Sequence, residues 1–137
     1  MAYGTENKMN TTRIFLHIIS VCGWVGGQLL MVALVPTLRK ISADAPRLAA
    51  ARFGKFSWTC MALALITGIW GIFSTDLSDK DSTYHIALFI KLLLVAASGA
   101  FTLVHSKTKS IKMKASTGAL GLLSALGALL SGVILVN

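Results

Sequence analysis

"TRIFLHIISVCGWVGGQLLMVALVPTL", residues 12–38, decides the fold of this protein. Apart from Arg13 at its edge the stretch holds no charged residue, and it exceeds the ~20 residues a helix needs to cross about 30 Å of hydrocarbon. It is too long for the apolar core of a cleaved signal and ends in Pro36 and Arg39 instead of a small-residue cleavage site, so it is expected to be retained. Working outward, three more apolar runs follow, Phe53 to Phe73, Tyr84 to Val104 and Ala115 to Val136. Hydrophobic residues make up 55% of the chain and the mean hydropathy is +0.73, above the range of ordinary soluble domains. Backbone polar groups in lipid must be satisfied inside a helix or a closed barrel. The expectation is therefore an all-α, antiparallel four-helix transmembrane bundle: one domain over residues 1–137, with spans at about 12–38, 53–73, 84–104 and 115–136.

The remaining chain is short. Residues 1–10 read as a polar, flexible lead; "RKISADAPRLAA" offers a turn and a helix start at Pro46; Ser82 and Thr83 are candidate caps for the third helix. The net charge of +8 sits mainly beside the spans. Arg39, Lys40, Arg47, Arg52 and Lys55 follow the first run, Lys107, Lys109, Lys112 and Lys114 follow the third, and the middle link carries Asp76, Asp79, Lys80 and Asp81. This pattern suits the lipid bilayer and gives no nucleic-acid groove. The positive-inside rule puts both basic links in the cytoplasm, which predicts a bacterial-type inner (plasma) membrane protein, N-out and C-out.

Helical spacing sorts the polar residues within the spans into stripes. On the first helix His17, Trp24 and Met31 repeat every seven residues, with Ser20 and Gln28 beside them. On the second, Arg52, Thr59, Thr67 and Ser74 align; on the third, Lys91, Ser98, Thr102 and His105 share a face. Such seams turn away from lipid. Gly23 and Gly27 on the first helix, and Thr117, Gly121, Ser124, Ala128 and Ser131 on the fourth, are packing positions where another helix can come close.

Ionisable residues in a span are functional candidates by default. His17 lies about 9 Å inside the outer end of its helix at 1.5 Å per residue. His85 opens the third helix from the same side, whereas His105 belongs to the inner surface. His17 and His85 are thus the candidate ligands of copper or haem b in the outer half, because imidazole suits both and two histidines can hold a haem. The alternatives are that His17 bonds a neighbouring helix and that His85 is an ordinary helix-start residue. Lys91, Trp24, Met31 and Ser98 are supporting positions. Lys91 either snorkels or pairs inward with an anion. Cys22 and Cys60, both within spans, read as small apolar packing residues.

In order along the chain, His17 with "WVGG" from Trp24, "RF" at Arg52, "TG" at Thr67 and "Y" then "LFIK" from Tyr84 to Lys91 resemble the CopD family of copper-resistance membrane proteins. The resemblance covers the first three helices and implies an inner-membrane module for copper handling, with His17 its foremost functional residue and no catalytic turnover. Four helices are fewer than these proteins usually have, which implies a homodimer or a place in a larger membrane complex. "LHIISVCGW" and "IKLLLV" are also similar to the haem-binding, HemJ-type protoporphyrinogen oxidases, which implies a b-type haem instead. An accessory subunit without a cofactor is the third class. No nucleophile triad, nucleotide loop or closed zinc motif is present in the sequence.

Overall fold

A computed structural model describes residues 2–136, with side chains for residues 8–136. It contains α1 (Ala2–Ile41), α2 (Ala45–Phe73), α3 (Ser82–Lys107) and α4 (Ile111–Ile134), and no strand among the described residues. The all-α, four-helix fold class expected from the apolar runs is the one found. All four helices are long and apolar enough to cross a membrane, with mean hydropathies between 1.7 and 2.2 over their most apolar stretches. The chain divides into two compact units, Met1–Leu77 and Ser78–Asn137. Each is a helical hairpin, α1 against α2 and α3 against α4.

Two local expectations are corrected. The polar lead is helical, since α1 begins at Ala2. No proline interrupts the lead, and side chains there bond back along the helix: Thr12 Oγ1 donates to the Lys8 carbonyl and Arg13 Nη2 to Asn10 Oδ1. The cap of α3 is Asp81, ahead of Ser82 and Thr83, its carboxylate accepting the Tyr84 N–H at 2.9 Å. An ionised acceptor at the positive end of a helix outcompetes a neutral hydroxyl. The helix start at Pro46 is as expected, with Pro at the first turn of α2.

Within the first hairpin, the α1 stripe faces α2. Ser20 and Trp24 are buried, and the Trp24 and Trp58 rings lie 5.4 Å apart. Gly23 and Gly27 do mark close approach, but side chains fill the space they leave: Cys60 lies against Gly23 and the tip of the Phe53 ring against Gly27. The expected α2 stripe is only partly inward. Thr67 is buried, while Arg52, Thr59 and Ser74 are exposed. The hydroxyls of Thr59 and Ser74 donate to carbonyls four residues back, so they need no neighbouring helix.

In the second hairpin, Lys91, Ser98, Thr102 and His105 form the inward face of α3. Ser98 is buried, and the other three approach Gly132, Gly121 and Gly118 of α4. The small residues expected to pack on α4, Thr117, Gly121, Ser124, Ala128 and Ser131, are buried together with Ala125.

The two hairpins repeat one device. Arg13 reaches over Gly71, two residues before the end of α2, and Lys91 reaches over Gly132, two residues before the end of α4. A helix C-terminus carries partial negative charge and favours a cation by about 0.3–1 kcal/mol, and glycine lets the cation come near the carbonyls. Replacing Gly132 by leucine is expected to lower stability by about 1–3 kcal/mol through overpacking, because a Cβ there already meets Lys91 Nζ at 3.2 Å. Thermal unfolding in detergent followed by circular dichroism measures the loss. Gly132→Leu should recover in the Lys91→Ala background.

Candidate functional site

The His17 ring packs toward α2. Its Cε1 lies 3.3 Å from the point a Cβ on Gly68 would occupy, and its Nδ1 is 2.9 Å from Thr67 Oγ1. Thr67 is 2% exposed, and its hydroxyl is 2.7 Å from the Leu63 carbonyl one turn back. A carbonyl accepts only, so the threonine proton goes to Leu63. The threonine oxygen then accepts from His17, and the ring carries its proton on Nδ1. With Nδ1 held by the protein, Nε2 is the nitrogen through which a neutral imidazole so placed would ligate a metal.

The other two histidines share this tautomer. His85 Nδ1 donates to the Asp81 carbonyl at 2.8 Å, and its exposed ring stands edge-on to Tyr84, as a helix-start residue does. His105 Nδ1 donates to the Lys114 carbonyl at 2.8 Å and rests over Gly118, joining the end of α3 to the start of α4. It is a structural strap. His17 and His85 lie in different units.

The supporting positions have local partners. Trp24 packs with Trp58, Ser98 is buried in the second hairpin, and Lys91 sits over Gly132. Met31 is half-buried and Cys22 exposed, while Cys60 fills the Gly23 gap. Among the described residues, no group of three or more His, Cys, Asp or Glu side chains could hold a metal ion. The donor set therefore does not fit a closed, protein-only metal cage.

Sequence reasoning had not assigned Gly68 a role at His17. The signal was the dipeptide "TG" at 67–68: a hydroxyl to hold the ring and, beside it, a residue small enough to admit it. Arg13 and Gly71, next along the same two faces, were also missed.

Four apolar helices in two hairpins define a small multi-pass helical membrane protein. No family model, curated protein or solved structure matches this chain. The likeness to copper-resistance proteins therefore rests on the residues quoted for it.

Proposed function

We propose that the protein is a CopD-like membrane module for copper handling that binds its metal through His17 Nε2 in the outer half of the bilayer. The observation that carries this reading is the contact of His17 with Thr67 and Gly68. Two widely separated pieces of the resemblance meet there in one arrangement, and that arrangement orients an imidazole for ligation. Copper accepts imidazole donors, and a site with one such donor per hairpin is completed from outside it. A second copy of the chain or a larger complex would supply the further donors. The basic links favour an N-out, C-out orientation in a plasma membrane, which puts His17 on the outer side. In this role His17 supplies the ligand atom, Thr67 fixes the ring, and Gly68 leaves room for it. Copper, when bound, adds a soft Lewis-acid centre.

A haem reading is favoured by one observation. The described residues offer a held imidazole, and one axial histidine is enough to anchor a b-type haem.

Purified, detergent-solubilised protein tests both readings by elemental analysis and an absorption spectrum. Bound copper without a Soret band supports the first, and a Soret band the second. Neither copper nor a Soret band in protein purified from copper- and haem-replete cells overturns both in favour of a cofactor-free subunit.

A further inference from the structure

The α3–α4 connection carries positive charge that no ion pair among the described residues answers. His105 to Lys114 holds Lys107, Lys109, Lys112 and Lys114, all exposed, and no acidic residue occurs anywhere after Asp81. Lys112 and Lys114 fall in the first turn of α4, which has no acidic residue to offset its positive end. The α1–α2 link differs, because Asp44 lies within it and its carboxylate pairs with Arg47 at 3.3 Å. The bond from His105 to the Lys114 carbonyl gathers the α3–α4 lysines at one end of the second hairpin.

Beside them, Leu103, Val104, Lys107 and Thr108 line an open groove of about 310 Å³. Its order along α3 is that of an amphiphile, with apolar Leu103 and Val104 on the membrane side and Lys107 at the rim. From the opposite end of α3 at Ser82, Val104 lies about 33 Å along the helix at 1.5 Å per residue, which is the depth of the far headgroup boundary.

We propose that this end of the second hairpin is a binding site for an anionic phospholipid. One acyl chain lies along Leu103 and Val104, and the phosphate is held by Lys107 with Lys109 and Lys112. Charge complementarity selects this occupant. An uncharged or zwitterionic lipid fills the groove equally well but leaves four lysines unanswered, and a soluble phosphate answers the lysines but not the groove. The proposal is independent of the ligand at His17.

The test uses the intact protein in detergent micelles containing equal amounts of phosphatidylglycerol and phosphatidylcholine, with retained lipid counted by native mass spectrometry. The expected result is selective retention of phosphatidylglycerol. Lys107→Gln with Lys112→Gln should cut that selectivity by about fivefold per lysine, the worth of one basic residue near an anionic surface. Lys107→Arg with Lys112→Arg should keep it, as should Arg39→Gln with Lys40→Gln. Val104→Trp, which fills the groove and leaves every charge in place, should reduce retention of both lipids. Equal retention of the two lipids by the unaltered protein overturns the proposal. So does selectivity that survives loss of the two lysines, falls equally with Arg39 and Lys40, or is abolished by inorganic phosphate at millimolar concentration, and so does retention untouched by Val104→Trp.

Discussion

Thr67→Val should weaken ligand binding at His17 by about 10–100-fold, the usual consequence of removing the partner that orients a ligating histidine. Valine matches the shape of threonine but has no oxygen to accept the His17 Nδ1–H, so the ring loses the contact that fixes both its angle and its tautomer. The helix itself should tolerate the change. The threonine hydroxyl is an added partner for the Leu63 and Ala64 carbonyls, which remain part of the α2 ladder. Thr67→Ser keeps the oxygen and should retain most of the affinity, whereas His17→Ala should abolish binding. Gly68→Ala should also weaken it, because the new methyl meets the ring at 3.3 Å and pushes it away from α2. Copper or haem titrations on the purified variants, with circular dichroism as a folding control, measure all four. Equal affinity for Thr67→Val and the unaltered protein would show that Thr67 does not position the ligand. Unaltered binding by His17→Ala would remove His17 from the site altogether.

This site was half legible in the sequence, for a physical reason. A histidine inside an apolar run stands out because an ionisable group there is costly, and a period of seven put His17 on the face of α1 that carries Trp24. The same arithmetic found the inward faces of α3 and α4. It was only partly right on α2, where it followed hydroxyls and found Thr67 alone of its four residues buried. Thr59 and Ser74 satisfy themselves on their own helix and carry no information about which way it faces. Besides Thr67, the face that α2 turns to α1 includes Phe53, Cys60, Gly68 and Gly71, apolar or small residues that no polar pattern picks out. Lys91 shows the same limit. Its charge was visible in the sequence, but the space it occupies is the one left over Gly132 near the end of α4, which no side-chain pattern announces. What a sequence hides in a membrane hairpin is the space left by absent side chains, and here that space decides where His17, Arg13, Lys91 and His105 rest.

Gly26→Ala and Gly27→Ala should change stability in opposite directions although the two residues are adjacent. Alanine is favoured over glycine in a helix interior by about 1 kcal/mol. At Gly26, an exposed position, a new Cβ meets nothing within 4 Å, so the substitution should gain up to about that amount. At Gly27, which is buried, a Cβ would overlap the tip of the Phe53 ring. Relief requires the ring to leave its place or α1 to draw back from α2. Overpacking of this kind typically costs about 1–3 kcal/mol, enough to outweigh the propensity gain. Gly27→Leu should cost more, since it has to displace the whole ring. The cause is separable from backbone effects by a double-mutant cycle, in which Phe53→Ala vacates the contested space. Gly27→Ala should then become nearly neutral in the Phe53→Ala background, while Gly26→Ala keeps its effect. Thermal unfolding of the three single and two double variants in one detergent measures the cycle. A destabilisation by Gly27→Ala that persists without the Phe53 ring would mean that the close approach of α1 and α2 rests on something other than this ring seated against a glycine.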